Sequence, residues 1–584
     1  MVIKPHFYRF LLLFWGFSSI LALKVDNSWA QQIEPLTPRK PEQIEPKPLP
    51  PPENNLQISP LKPPTPEEVL EIPGTIVVEE FEFIGNTAFS QEELRQVIAD
   101  FTGKPITFAQ LIQAANAITE LYIIQGYITS GAYIPSQELR SNTVKIQIVE
   151  GSLEAINVNI LKGRLSENYV RSRLSLATSA PLNVNRLQSA LQLLQLDPLI
   201  ESLNVELSAG TKAGTNALDV AVIGAKTFNL QVQLNNNRNP SVGSFERGGE
   251  ISEANLLGLG DSIKFAYNNT DGSDDFAGGY SIPLNAQNGS VSFQFRIANS
   301  DIIEPPFNDI DNDGSEPDLE VHTREFDLTF RQPIIQRITP EVIQELTLSL
   351  SASRRESDSS ILGVKSALFP GANEEGETRI SALRFAQEWT QRNRQEVLST
   401  RSQFNLGIGA FGSTINDREP DSRFFAWQGQ LLYLRLLGDV TDSSAFNPTL
   451  FLRSNLQLAA NSLLSSEQFS LGGQSTVRGY RQDSRLTDNG IFVSAEMRLP
   501  IFKVPDIEGS LQLAPFIDFG TGWNTGRDTQ NPNTLVGMGL GLLWQMGDQF
   551  TARFDWGIPL VDIDSGDRTW QENGIYFQIE YNPF

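Results

Sequence analysis

The sequence lacks cysteine altogether and has only 2 histidines among its 584 residues. Without a thiol the chain forms no disulfide framework, no CxxC redox pair and no cysteine-based zinc site. Basic residues are also fewer than acidic ones: the chain has 45 Lys and Arg and 69 Asp and Glu, which gives a net charge of -24. Such a chain repels a polyanion like DNA. We therefore expect neither redox chemistry nor a nucleic-acid partner.

Long apolar runs are lacking beyond the N-terminus, so any membrane insertion has to use strands rather than helices of about 18 apolar residues. The N-terminus itself has a basic head, an apolar run from Phe10 to Leu23, and the small-x-small pattern Ser28-Trp29-Ala30. These features are typical of a secretory signal, which we predict over residues 1–30; the alternative is a retained anchor.

A proline-rich stretch follows over residues 31–74 and includes the run Pro50-Pro51-Pro52. Because proline fixes φ and removes a backbone donor, we predict an extended, semi-rigid linker without a core. A polyproline recognition motif is the alternative. Only Thr65 to Glu71 is able to form a helical turn or two.

Two small α/β units are predicted after the linker, over residues 75–151 and 152–226. In the first, Ser90 with Glu93 forms a capping box for one helix, and a second helix ends at Gly126. Strands predicted from Ile128 to Ile134 and from Thr143 to Glu150 complete a β-α-α-β-β order. The same order recurs in the second unit, where Asn183 is predicted to cap a helix.

Residues 227–584 alternate apolar and polar side chains, as strands with one lipid face and one wet face do. We predict about sixteen antiparallel strands of about ten residues each, joined alternately by short and long connections. The polar faces are rich in Gln, Asn, Ser and Gly, which favours a transmembrane barrel over a soluble β-sandwich. The long connections are predicted at Asn299 to His322, Arg354 to Thr378 and Asn461 to Asp488.

Four short motifs carry a family resemblance. They are the turn Asn255-Leu256-Leu257-Gly258-Leu259-Gly260-Asp261, the loop Leu471 to Tyr480, the strand Phe516-Ile517-Asp518-Phe519-Gly520 and the terminal Phe584. With two α/β units before a barrel, the chain resembles the two-partner secretion transporters, the ShlB/FhaC/HecB hemolysin secretion and activation proteins. The resemblance covers nearly everything from Thr75 to the end. It implies POTRA-like domains in the periplasm and a barrel in the outer membrane.

The resemblance also implies a lock inside the barrel, in which the loop Val477-Arg478-Gly479-Tyr480 folds into the lumen and Arg478 pairs with Asp518 of the Phe516 to Gly520 strand. The residues agree, because Asp518 has the parity of Phe516, opposite the apolar Ile517, and so faces the lumen. The alternative is a solvated loop arginine and an unrelated wall carboxylate. In a neighbouring strand, Gly537, Gly539 and Gly541 either ease curvature or clear space for something packed inside.

One acidic motif lies in a predicted long connection, and motifs typical of enzymes are missing from the sequence. Asp309, Asp311, Asp313, Gly314 and Glu320 have the spacing of a calcium loop. Flanking helices are not predicted there, so a solvated acidic loop is the preferred interpretation and no metal site is predicted. Neither a GxSxG nor a P-loop motif occurs, and we predict neither an enzyme nor a cofactor.

The predicted function is an outer-membrane transporter that secretes, with or without activation, a large exoprotein of hemolysin or adhesin type. The client would add as a strand to an exposed edge at Ile128, Thr129, Tyr133 and Ile134. The expected partners are this exoprotein, outer-membrane lipid and the barrel-assembly machinery, and the chain is expected to be a monomer. An insertase that folds other barrels is the alternative, and a passive porin would leave both α/β units unexplained.

Overall fold

The computed structural model describes residues 56–58, 74–138, 142–212, 214–305, 307–311, 314, 317–339, 341–438, 447–563 and 569–584. The predicted signal, most of the linker with Thr65 to Glu71, and Asp313 of the acidic motif lie outside the described residues. The first described element is a short strand, β1 (Leu56–Ile58).

The first α/β unit has the predicted β-α-α-β-β order. Its sheet has the strand order β3-β6-β5, and two capped helices pack on it around one apolar core. A separate pair joins β2 to β4. The elements are β2 (Thr75–Val77), β3 (Glu80–Ile84), α1 (Gln91–Val97), β4 (Pro105–Thr107), α2 (Phe108–Ile124), β5 (Gly131–Tyr133) and β6 (Thr143–Val149).

The second α/β unit repeats this order and gains a strand from the linker. Its elements are β7 (Ser152–Lys162), α3 (Glu167–Ser175), α4 (Val184–Gln195), β8 (Ile200–Ala209) and β9 (Thr215–Gly224). The sheet order is β1-β8-β9-β7, with Leu56 opposite Val205 in a parallel pair and buried in the core. The linker prediction is wrong for these three residues. They lie in the proline-free stretch 53–59, which keeps its backbone donors.

A closed antiparallel barrel of sixteen strands follows, as predicted. No helix in the described part of the chain is long and apolar enough to span a membrane. A two-residue strand, β17 (Val364–Lys365), extends one hairpin. The barrel strands are β10 (Phe228–Asn235), β11 (Glu246–Glu253), β12 (Ser262–Asn269), β13 (Ser273–Pro283), β14 (Ser290–Asp301), β15 (Leu319–Ile338), β16 (Ile343–Ile361), β18 (Glu377–Arg392), β19 (Glu396–Ile408), β20 (Phe425–Leu436), β21 (Thr449–Ala459), β24 (Asn489–Val504), β25 (Gly509–Trp523), β26 (Thr534–Met546), β27 (Phe550–Pro559) and β28 (Ile575–Tyr581).

The outer surface of the barrel is apolar, because alternate side chains such as Phe265, Leu328 and Ile517 point outward and are exposed. The strands vary from 7 residues in β28 to 20 in β15, so several are much longer than the predicted length of about ten residues. β15 and β16 pair from Ile338 and Ile343 out to Leu319 and Ile361, well into the predicted loops. Pairing continues there because ladder hydrogen bonds need no apolar face.

The second α/β unit docks on the barrel through the turn Asn255 to Asp261. The Ser166 N–H donates to Gly258 O at 2.9 Å, and an added Cβ on Gly260 would lie 2.3 Å from the Tyr169 ring. A neighbouring turn contributes Asn288, whose Oδ1 accepts from Arg173 Nη2 at 2.7 Å. These contacts hold the second α/β unit against one end of the barrel.

Candidate functional site in the barrel lumen

The connection between β21 and β24, residues 460–488, folds into the barrel and is called the lumenal loop below. It contains a hairpin of β22 (Phe469–Leu471) and β23 (Arg485–Thr487), and its tip carries residues 472–484. Val477 and Arg478 at the tip are 0% exposed and Tyr480 is 2% exposed. The loop lies inside the pore, whereas its length alone suggested an outside connection.

Arg478 forms a two-pronged ion pair with Asp518 on β25. Arg478 Nε lies 2.7 Å from Asp518 Oδ2, Nη2 lies 2.9 Å from Oδ1, and the Arg478 backbone N–H also donates to Oδ2 at 3.1 Å. Both side chains are fully buried. The guanidinium stacks 3.3 Å from the ring centre of Phe516, two residues before Asp518. Planar, bidentate pairing of this kind is both strong and geometrically selective.

Two further carboxylates surround the same guanidinium, and sequence reasoning missed both. Arg478 Nη1 lies 2.8 Å from Glu496 Oε2 on β24 and 3.6 Å from Asp555 Oδ1 on β27. Arg553 bridges these two carboxylates at 2.6 and 2.7 Å, and Arg498 pairs with Glu496 at 2.9 Å. The three arginines in these contacts thus match three carboxylates, which offsets the cost of burying charge.

The loop tip turns sharply at Gly479 and is held there by the last strand. Gly479 has φ of 102°, a conformation that glycine adopts without strain. Its N–H donates to the Tyr576 hydroxyl on β28 at 3.0 Å, and that hydroxyl donates to Tyr480 O at 2.5 Å. The Tyr480 hydroxyl in turn donates to Val536 O at 2.8 Å and accepts from the Val561 N–H at 3.1 Å. The role of Tyr576 was also not predicted from the sequence.

The wall beneath the tip is shaped by small residues. An added Cβ on Gly537 would lie 1.9 Å from Arg478 O, so only glycine admits the loop there. Gly520 lies against Leu471 and Val477, which pack with Tyr480 in one apolar cluster. Gly541 faces Asp555, and Gly539 faces Phe516 and Trp556. These glycines therefore leave room for the loop and for its charged partners.

The predicted client-binding strand is shorter in the structure than Ile128 to Ile134, because only Gly131–Tyr133 pairs with β6. Ile128 packs against the core of the second unit and Thr129 lies against Gly151. Ile134 packs on the core of the first unit, whereas Tyr133 is half exposed. Gly126 has φ of 88° and turns follow it, so regular pairing begins only at Gly131.

The acidic motif gathers different residues from those its spacing suggested. Carboxylate oxygens of Asp309, Asp311 and Asp318 lie within 4.8 Å of one another, and Glu320 is not in the group. Asp318 accepts hydrogen bonds from the backbone N–H groups of Ile310 and Asp311. These bonds are those of an acidic loop that folds on itself.

The fold and the lock define a class: an outer-membrane barrel with periplasmic α/β domains and an internal loop locked to the wall. The comparisons give the family. The model described as "Haemolysin secretion/activation protein ShlB/FhaC/HecB" matches residues 214–543, over half of the chain, and "POTRA domain, ShlB-type" matches residues 76–151. The chain belongs to the ShlB/FhaC/HecB family of haemolysin secretion/activation proteins.

Curated relatives and a solved structure are similar over most of the chain. The outer membrane transporter CdiB of Dickeya dadantii is 22% identical and covers 84% of this chain and 83% of its own. The heme/hemopexin transporter protein HuxB of Haemophilus influenzae is 23% identical, with 82% of each chain covered. The structure of CdiB from Escherichia coli superposes with a TM-score of 0.64 at 20% identity, covering 89% and 93%; it supports the fold alone.

Family membership fixes the broad function. The protein is an outer-membrane transporter of two-partner secretion, which works with a secreted exoprotein and keeps its POTRA domain in the periplasm. The members of the family are transporters rather than enzymes. The insertase alternative is not favoured, because the matching family and the relatives above are transporters.

Proposed function

We propose that the chain, as a monomer, receives an unfolded exoprotein at the edge of β5 and conducts it through the barrel when the lumenal loop leaves its lock. The observation that carries this proposal is the buried contact of Arg478 with Asp518. A loop fixed across the lumen leaves little room for a polypeptide, so passage requires the loop to move. The lock then sets the resting state to which the loop returns, so export requires both release of the lock and its re-formation.

The β5 edge is suited to strand addition. β5 is the outer strand of its sheet in the order β3-β6-β5, and its far side carries no strand among the described residues. The Ala132 N–H donates to Thr119 Oγ1 on α2 at 2.9 Å, so this group points away from β6. An incoming strand would take over that single bond and extend the sheet.

The test is a proline at this edge. Ala132→Pro removes the outward N–H while Gly131 and Tyr133 keep their places beside β6, because proline is tolerated on edge strands. We expect export to fall about tenfold, the effect of losing roughly one hydrogen bond from the client. Exoprotein in the medium per folded barrel is the measurement.

Ala132→Val is the matched control, because it adds bulk but keeps the N–H, and it should export normally. Circular dichroism of the periplasmic units verifies that the proline variant is folded. Normal export by a folded Ala132→Pro protein would contradict client capture at β5.

The family and its relatives support the remaining parts of the proposal. A large client of haemolysin or adhesin type is proposed from the family description, and the HuxB relative is named a heme/hemopexin transporter. The barrel-assembly machinery would insert the chain, and folding of the client outside would drive export. Removal of the chain should then deplete one large exoprotein from the medium, whereas depletion of many barrels would contradict the proposal.

A further inference from the structure

The lumenal loop is also fixed at its base, by contacts that do not involve Arg478. A 3-10 turn, Ser465–Glu467, follows β21 and precedes the hairpin, and Glu467 is 8% exposed. This carboxylate was not identified by any sequence motif. A buried carboxylate is costly unless it is paired, so its partners help to hold this part of the loop, together with Asp488, which accepts from the Leu463 N–H and from Gln468 Nε2 at 3.0 Å each.

The partners of Glu467 lie on a different wall from the lock. Arg384 on β18 approaches with both amino nitrogens, Nη2 at 2.7 Å from Oε1 and Nη1 at 3.0 Å from Oε2. Arg355 on β16 lies 3.9 Å from the same carboxylate and donates to Ser466 O. Between β18 and β25, which carries Asp518, the barrel order places β19, β20, β21 and β24.

The wall arginines are themselves fixed. Arg384 also donates to Asn405 Oδ1 at 2.9 Å and Ser353 Oγ at 3.2 Å, and Arg355 pairs with Glu325 at 3.1 Å. Gln457 on β21 donates to Glu467 O at 3.0 Å. The receptor for Glu467 is therefore a prepared arrangement on the wall rather than a chance surface contact.

We infer that Glu467 is a second, independent anchor of the lumenal loop. It is a positioning residue, and the charges of its ion pair are arranged in the reverse sense to those of the lock. At the tip the loop supplies the guanidinium and the wall the carboxylate; at the base the loop supplies the carboxylate and the wall the guanidinium. Loss of the tip contact then frees the tip but leaves the base in place. That this staging serves export rests on the proposed function, whereas the independence of the two anchors does not.

Hydrogen exchange of the full-length protein in detergent, without client, tests the inference. Glu467→Gln and Arg384→Ala should each speed exchange of the amides of residues 463–468 by about tenfold and leave those of residues 476–480 protected. Arg478→Ala should give the reverse pattern. Arg384→Lys keeps the positive charge but loses the two-nitrogen contact with Glu467, so we expect intermediate protection of residues 463–468.

Glu388→Gln is the matched control. Glu388 lines the same lumenal cavity as Glu467 but pairs with the wall residue Arg401, at 3.9 Å. It should change neither group of amides. Heat-modifiable migration shows that each variant is a folded barrel. The inference is overturned if Arg478→Ala releases both groups together, or if Glu467→Gln leaves residues 463–468 as protected as in the parent. Either result is independent of whether client export fails.

Discussion

At the scale of single residues, the lock shows how a buried charge is made tolerable. Arg478 is 0% exposed, yet its guanidinium meets Asp518, Glu496 and Asp555 and stacks on Phe516. Replacing Arg478 leaves Asp518 buried without its partner, and replacing Asp518 leaves the buried cluster one negative charge short although Glu496 and Asp555 still face Arg478. The cost of a substitution therefore comes mainly from the group that remains.

We expect Arg478→Ala and Asp518→Ala to reduce export similarly while the barrel still assembles. Each should weaken docking of the loop tip by about 3 kcal/mol, because each removes the bidentate contact and leaves the buried cluster with one unmatched charge. The double variant should lose much less than the sum of the two, since both changes remove one shared interaction. Exoprotein in the medium per folded barrel is the measurement. Two losses that simply multiply would mean that the residues do not act as a pair.

Sequence parity could predict the lock pair but not its surroundings. The alternation around Ile517 assigns Asp518 to the lumen, and a family motif identifies Arg478. Glu496 and Asp555 also face the lumen by parity, but so do dozens of other polar residues, and nothing distinguishes these two. Their role depends on how β24, β25 and β26 pair, with Ser494 and Gly537 on either side of Asp518. The local sequence pattern does not determine these strand registers.

At the scale of elements, one carboxylate ties the first α/β unit together. Glu150 follows β6 and accepts from the N–H groups of Thr87 and Ala88 at 2.6 and 2.8 Å and from the Tyr122 hydroxyl at 2.8 Å. Burial alone would raise the pKa of Glu150, but the bonds from Thr87 and Ala88 outweigh it and hold the pKa below 4.5. The ionised form thus joins the β3–α1 turn to α2.

We expect Glu150→Gln to destabilise the fragment of residues 53–225 by about 2 kcal/mol at pH 7. The folded-state pKa is depressed, so Glu150 stabilises fully above about pH 4.5 and loses that contribution as pH falls through the folded-state value. The difference between parent and variant should therefore shrink on acidification. Urea unfolding from pH 7 to pH 3 measures it, with Glu120→Gln as the control for loss of an exposed charge. A difference that grows toward low pH would contradict this account.

The elements themselves were partly predictable. Capping residues identified α1 and α4 correctly, because a cap is a local hydrogen bond between neighbours. The ends of β15 and β16 were missed, since polar side chains above the membrane hide strands that only cross-strand pairing reveals. The length of the lumenal loop suggested an outside connection, and only the family motif predicted its inward course, because the loop is held by partners that lie distant in sequence.

At the scale of the whole molecule, one short segment of the proline-rich linker is part of a folded sheet. β1 adds to the free edge of β8, and Leu56 joins the core of the second α/β unit. Among the described residues, β1 pairs with β8 and with no strand of the barrel. Stability of the periplasmic units and assembly of the barrel should therefore respond differently to loss of the linker.

We expect deletion of residues 31–72 to leave barrel assembly intact, as judged by heat-modifiable migration. In soluble fragments, residues 75–225 should be less stable than residues 53–225 by about 2 kcal/mol, the effect of exposing roughly one leucine. A deletion of residues 31–52, which keeps β1, is the control and should behave as the parent. Equal urea midpoints for the two fragments would show that β1 contributes nothing.

The lock also has a place in the timing of biogenesis. The lumenal loop ends at residue 488, whereas Asp518, Asp555 and Tyr576, which receive its tip, are synthesised later. Tyr576 belongs to the last strand, β28, which pairs with the first barrel strand, β10, to close the ring. The complete receptor of the tip therefore includes the strand that closes the ring. Docking of Gly479 and closure of the barrel depend on the same strand, β28, the last to be synthesised.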